Sequence, residues 1–198
     1  MSGKRSQDKP IETQGVIDQL RSENDLLRDT IAQMHARMGE LEALADTDTV
    51  TPLPNRRRFL REIERVVGQA TRHGTPSALL YIDLNGLKGI NDRYGHFAGD
   101  AALIHVAQLV AGLIRTTDIL ARIGGDEFGL ILDHLDHNSA IETADRVAQC
   151  IAGSPLDIDG NRVTVGASIG VATIMPGDSV EDVIGRADRN MYRAKADA

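Results

Sequence analysis

The chain has 198 residues, of which 41% are hydrophobic and 26% charged, with a formal net charge of −7. That length accommodates one compact domain plus an extension, not two full domains, and the composition is that of a globular protein. The excess of acids, three Phe, three Tyr and no Trp argue against the basic groove and stacking aromatics of a sequence-independent nucleic-acid binder.

The single Cys150 excludes an internal disulfide framework or a multi-cysteine zinc site. No apolar run reaches the roughly 20 residues of a spanning helix. Met1–Pro10 has no apolar segment of the secretory kind. The expectation is a cytoplasmic protein with neither a membrane nor a nucleic acid as partner. An anionic substrate would need metal ions or a few local cations to offset its charge.

Residues 1–15 are polar and expected to be disordered. From Val16 to Ala45 there is no Pro and one Gly, Gly39. Ile17, Asn24, Ile31, Met38 and Ala45 fall at a positions, and Leu20, Leu27, Met34 and Leu41 at d. This repeat predicts a coiled coil over 16–45, about 45 Å long at about 1.5 Å per residue. In a parallel dimer Glu23 meets Arg28, and Arg37 meets Glu42, both attractive pairs. A lone Asn at an a position, Asn24, sets register in parallel dimers. The plainer reading is one amphipathic helix packed on its own domain, but the narrow stripe and charge pairing favour a homodimer through 16–45.

Asp46–Asn55, with two prolines, ends that helix. Arg56–Thr71 reads as a helix with Phe59, Leu60, Ile63, Val66 and Val67 on one side. Ser77–Leu84 reads as a buried strand, and Leu87–Tyr94 as a short helix broken by Gly95-His-Phe-Ala-Gly. Asp100–Ile114 is an apolar-striped helix. Ile119–Ile123 and Phe128–Leu132 form a hairpin across Gly124-Gly125-Asp126-Glu127. Asn138–Ala152 is helical, Val163–Ile174 a long strand or strand pair, and Val180–Lys195 a final helix. The alternation predicts one α/β (α+β) domain over 46–198, a mixed sheet with helices on its faces.

Chemistry concentrates at strand ends. Asp83 closes an apolar strand, and the hairpin tip adds Asp126 and Glu127. Three such acids can hold hard divalent cations through oxygen, and Mg²⁺ binds a few carboxylates plus substrate phosphates. Two metals can clamp the attacking and leaving oxygens of a nucleotidyl transfer. The glycine pair lets backbone approach a ligand. Each piece alone is also an acceptable turn or loop.

Taken together, these residues resemble a known family. Arg122-Ile-Gly-Gly-Asp-Glu-Phe128 resembles the signature of the GGDEF family, the diguanylate cyclases of bacterial signalling. Thr47-Asp-Thr-Val-Thr-Pro-Leu-Pro-Asn-Arg-Arg57 is similar to its opening motif. Asp83-Leu-Asn-Gly-Leu-Lys-Gly-Ile-Asn-Asp92 and Tyr94-Gly-His-Phe-Ala-Gly-Asp100 are similar to its substrate segment. Ser168-Ile-Gly-Val-Ala172 and Ala187-Asp-Arg-Asn-Met-Tyr-Arg-Ala-Lys195 are similar to its C-terminal blocks.

The resemblance implies a palm-like nucleotidyl-cyclase sheet. It also implies condensation of two GTP into cyclic di-GMP, with release of two pyrophosphates. Asp83, Glu127 and the Leu84 carbonyl would be ligands of Mg²⁺ or Mn²⁺, two or more ions per active dimer. Asp126 would sit at the same centre as ligand or general base. Asn91 and Asp100 would read guanine: a carboxylate accepts from N1–H and N2–H₂, and an amide donates to O6 or N7. As plain structure, Asn91 would cap a turn and Asp100 the next helix. Lys88 and Lys195 would contact the triphosphate, with amide donors around Asn85, Gly86 and Leu87 and close approach at Gly124 and Gly125. Arg115-Thr-Thr-Asp118 resembles the family's inhibitory product site, with Arg146 as a further contact; an Arg fork grips phosphate or guanine.

The sequence departs from the family at Val50 and Pro52 in the opening motif and at Asn85, Gly86 and Leu87. The stretch through Ala198 also does not reach the family's Gly-Arg-Asn segment, whose arginine would contact phosphate, so weaker triphosphate affinity is expected. His96 and His134, without partners at metal-ligand spacing, read as structural. A protein regulator on the N-terminal segment is a further expectation. The alternative from another functional class is a catalytically inactive cyclic di-GMP receptor that binds at Arg115–Asp118 and signals through the coil.

Overall fold

The computed structural model describes residues 9–196, and side-chain surroundings from Gly15 onward apart from residues 36 and 40–44. The chain divides after Ala45 into two units. The first is the helix α1, Lys9–Ala45. It starts ahead of the expected Val16, so residues 9–15 are helical where disorder is expected; residues 1–8 lie outside the described residues. Pro10 is accommodated because the first turn of a helix has no partner for its N–H. Ile17, Leu20, Leu27, Ile31, Met34 and Met38, the expected seam, are all exposed on this helix. Leu41 and Glu42 lie outside the described side chains.

The second unit is built on a four-stranded sheet in the order β2-β3-β1-β6. Its strands are β1 (Ser77–Asn85), β2 (Ile119–Arg122), β3 (Glu127–Leu132) and β6 (Gly166–Ile174). Every neighbouring pair is antiparallel, where the alternation of elements predicts a mixed sheet. The helical crossovers do join strands of like direction, β1 to β2 and β3 to β6. However, β3 lies between the first pair and β1 between the second, so no parallel strands touch. This is the interleaved form of two βαβ units.

Because β1 is central, both its faces are buried and it reads as a continuous apolar run. Leu80, Ile82, Leu84, Phe128 and Leu130 pack with α4 (His96–Leu113) and α5 (His137–Gly153). Leu79, Tyr81 and Ile131 face Phe59, Ile63 and Val66 of α2 (Arg56–His73) and Val183, Ala187 and Met191 of α6 (Val180–Ala196). Truncating a residue such as Phe59, 1% exposed, to Ala costs about 3–5 kcal/mol. Helix α2 is bounded by Asn55, whose side chain accepts from the Arg58 N–H, and by Gly74 at φ 63°.

Two other elements differ from expectation. Helix α4 begins at His96, not Asp100, because Gly95 alone, at φ 84°, separates it from α3 (Leu87–Tyr94). By length and composition α4 also passes as a membrane-crossing helix, which the count of apolar runs does not anticipate. Its Ala102, Leu103, Val106 and Val110 are core residues. The expected strand over Val163–Ile174 divides. Its start belongs to a separate hairpin, β4 (Leu156–Ile158) with β5 (Asn161–Val163). Asp159 and Gly160 turn this hairpin at φ 52° and 79°, the positive values that an Asp-Gly hairpin turn requires.

Two glycines set the spacing of the layer containing α2 and α6. Gly129 and Gly170 flank Tyr81 in register on either side of β1. A Cβ on Gly129 would stand 2.1 Å from the Phe59 ring, and one on Gly170 would stand 2.0 Å from the Ala187 carbonyl oxygen. Their absence lets both helices lie close over the sheet end that carries the acids.

Candidate active site

The β1–β3 register places Asp83 directly opposite Glu127. Ile82 and Leu84 point to the α4–α5 side, so Asp83 emerges on the α2–α6 side with Tyr81. Asp83 is 9% exposed, and its Oδ1 is 2.5 Å from the Lys195 Nζ at the end of α6. That bond raises the Lys195 pKa above its ordinary value, against a smaller opposing effect of burial and with further help from Asp126 and Glu127. Lys195, expected from the sequence at the triphosphate, is thus bonded to the acid pair's Asp83.

Glu127 is held from two directions. The Tyr81 hydroxyl donates to its Oε1 at 2.9 Å. A Cβ on Gly124 would lie 2.0 Å from its Oε2, so the first glycine of the signature makes room for the carboxylate itself. Burial, followed by the bond to Glu127, pushes the Tyr81 phenol well above its ordinary value, so it remains a donor.

The turn is tied down by an arginine that sequence reasoning quotes but gives no role. Arg122 donates to the Gly125 carbonyl from Nη2 at 2.8 Å and to Asp48 Oδ1 from Nη1 at 3.1 Å. Asp48 Oδ1 also accepts from the Thr51 N–H and hydroxyl, each at 2.7 Å. Burial raises the Asp48 pKa, but the Thr51 bonds and Arg122 outweigh it and leave it lowered. The opening motif is thus a strut under the signature turn. The Leu84 N–H closes the same turn by donating to the Asp126 carbonyl at 3.0 Å.

A cleft of about 430 Å³ opens beside this turn, lined by Lys88, Asn91, Asp100, Arg122, Gly125 and Asp126 among others. Leu87 and Gly99 also line it, as does His96, which the sequence reads as structural. Asn91 lies inside α3 and Asp100 inside α4, so neither is the cap that plain structure predicts. A Cβ on Gly99 would stand 2.0 Å from Asn91 Oδ1, so Gly99 seats that amide. Gly86, at φ 88°, turns the chain from β1 into α3. This departure from the family is a conformational requirement. Asn85 is committed elsewhere, donating to the Ser168 hydroxyl at 3.0 Å.

Among the described residues no three Asp, Glu, His or Cys side chains form a metal-holding group, so the expected three-acid cage is narrowed. Asp83 and Glu127 form a facing pair, while Asp126 lines the cleft. The donor set still fits Mg²⁺ or Mn²⁺, because such ions take one or two carboxylates and complete their shell with substrate phosphates and water.

A second cavity, about 440 Å³, brings Arg115, Asp118 and Arg146 together with Glu142. Asp118 accepts from the Arg115 backbone N–H at 2.9 Å through Oδ2, so part of its role is to shape that turn. His134 Nδ1 is 3.1 Å from Asp133 Oδ1, and His134 lines neither cavity.

Residues 45–198 match the family described as diguanylate cyclase, GGDEF domain. The chain belongs to the GGDEF family. It is 39% identical over 158 residues to the bifunctional diguanylate cyclase/cyclic di-GMP phosphodiesterase MucR of Pseudomonas aeruginosa, covering 79% of this chain and 23% of MucR. It is 34% identical over 188 residues to the diguanylate cyclase TpbB of the same species, covering 92% of this chain and 43% of TpbB. The chain thus spans less than half the length of these GGDEF relatives. Among solved structures, the coiled coil and GGDEF domain of DgcB from Caulobacter crescentus, in complex with c-di-GMP, superposes with a TM-score of 0.77 at 28% identity. That match covers 89% of this chain and 96% of the other. The diguanylate cyclase SiaD of P. aeruginosa, in complex with its activator SiaC, gives 0.75 at 27% identity, covering 94% and 73%.

Proposed function

We propose that this chain is an active diguanylate cyclase, condensing two GTP into cyclic di-GMP with release of two pyrophosphates. The observation that carries the reading is the joining of two sets of residues at one sheet end. Lys88, Asn91, Asp100 and Asp126 line one cleft, beside the register pair Asp83 and Glu127.

In each of two identical steps, the 3′-oxygen of one GTP forms a bond to the α-phosphorus of the other. The bond from that phosphorus to pyrophosphate breaks, and the 3′-hydroxyl proton passes to a carboxylate, Asp126 or Glu127. Asp100 and Asn91 select the guanine edge, Lys88 and Lys195 offset phosphate charge, and Arg122 holds the turn still. Bound at Asp83, Glu127 and the Leu84 carbonyl, Mg²⁺ or Mn²⁺ would supply the positive charge that stabilises the transferring phosphate. Each domain carries one GTP, so two domains must face each other. The exposed seam of α1 supports a parallel homodimer that raises their effective concentration and sets their orientation.

Incubation with GTP and Mg²⁺, with ATP as competitor, and mass spectrometry of the products tests this reading. Cyclic di-GMP alone is expected, and Asp83→Ala or Glu127→Ala should abolish it. A product-free wild type that still binds cyclic di-GMP would instead indicate the receptor.

The Arg115, Asp118 and Arg146 cavity supports feedback by product, and a protein regulator acting on the N-terminal segment remains part of this proposal. Arg115→Ala should raise the product concentration for half-inhibition at least tenfold, as expected for loss of a charge-assisted fork. Unaltered inhibition would put the feedback site elsewhere.

A further inference from the structure

We infer that Tyr81 is a positioning residue for Glu127, the carboxylate proposed to hold the metal; the inference rests on that reading of the site. Three observations converge on it. Tyr81 is 6% exposed, and its hydroxyl donates to Glu127 Oε1 at 2.9 Å. The residues beside it in both neighbouring strands are glycines, Gly129 and Gly170, which admit Phe59 and the α6 backbone close to the sheet. The ring is thereby confined between Phe59 and α6, with its hydroxyl directed along the strand toward the turn. On the opposite side, the missing side chain of Gly124 leaves room for Glu127 Oε2, a Cβ there standing 2.0 Å from it.

A Glu side chain has three rotatable bonds, and fixing them is an entropic cost that metal binding would otherwise bear. Tyr81 meets that cost during folding. Its hydroxyl occupies one carboxylate oxygen and presents the other. Carboxylates that ligate metals are themselves hydrogen-bonded by outer partners, and removing such a partner weakens metal affinity about 10–100-fold.

The test is equilibrium binding of Mn²⁺, followed by electron paramagnetic resonance, to protein saturated with the non-condensing analogue α,β-methylene-GTP. Tyr81→Phe keeps the ring and removes only the hydroxyl. It should raise the Mn²⁺ dissociation constant about tenfold or more and leave affinity for the analogue in EDTA unchanged. On a Glu127→Gln background the same change should have no further effect on Mn²⁺, since the two residues act as a unit. Gly124→Ala, pressing on the carboxylate from the other side, should weaken Mn²⁺ independently and serves as the second variant. Wild-type Mn²⁺ affinity in Tyr81→Phe would overturn the inference. So would an equal loss of metal-free analogue binding, or an undiminished effect on the Glu127→Gln background. If the wild-type protein takes up no Mn²⁺ with the analogue, the metal reading itself fails, and that result is distinguishable from a failure of Tyr81 alone.

Discussion

Small residues decide the geometry of this site as much as charged ones do. Gly99 matters because the Asn91 amide occupies the space its side chain would fill, Asn91 Oδ1 lying 2.0 Å from a Cβ built there. Gly99→Ala should therefore displace the proposed guanine-reading amide without disturbing the core beneath it. The expected outcome is a rise in the KM for GTP on the order of tenfold, the scale of one lost hydrogen bond, with kcat nearly unchanged. Steady-state kinetics over a GTP series measures both. Gly170 is a different case. Its missing Cβ would meet α6 backbone, which cannot move aside as a side chain can.

At the scale of elements, the unit over residues 46–198 is laced by ion pairs at its loops. Asp46 is buried between Arg57 and Arg61 of α2, and the Arg61 bond, then the Arg57 bond, lowers its pKa from 3.8. Asp48 joins the opening loop to Arg122. Asp178, before α6, pairs with Arg186 at 2.5 Å, and its pKa is lowered chiefly by that arginine. A carboxylate with a lowered folded pKa contributes stability that is complete above its unfolded value and is lost as pH falls through the folded one. These three groups should therefore leave the stability of residues 46–198 level from neutrality down to about pH 5. Stability should then decline as pH passes below the ordinary carboxylate value near 3.8. Urea melts across pH 7 to 3 measure this, and a loss centred near pH 6 would assign acid sensitivity to other groups.

For the whole molecule, the proposed reaction would need two catalytic units, and α1 is the element proposed to bring them together. Ile17, Leu20, Leu27, Ile31 and Met34 lie exposed along α1, interrupted by Asn24 at an a position. An apolar residue there would strengthen the seam but remove its register marker. Asn24→Val should change oligomeric mass by light scattering, or change the cyclase rate, while GTP-analogue affinity per chain stays the same. Unchanged mass together with an unchanged rate would count against the coil as the dimerising element.

The sequence by itself determined what depends on local pattern. Apolar runs bounded by turn residues located β1 and the β2–β3 hairpin, a one-sided apolar stripe located α2, and the Gly95–Gly99 segment ended α3. The ordered motifs brought Asp83, Lys88, Asn91, Asp100 and the Gly124–Phe128 turn into view. The Asp-Gly pair at 159–160 carries the local signal of the β4–β5 hairpin. Tertiary structure alone decided what depends on which strands become neighbours. Antiparallel order arose because each crossover is split by a strand from the other, and that order set Asp83 opposite Glu127. It likewise set Tyr81 between two glycines, turned Lys195 back onto Asp83, and bridged Asp48 to Arg122 across 74 positions. Such pairings reflect the packing of the folded chain, and one chain's residue spacing carries no record of them.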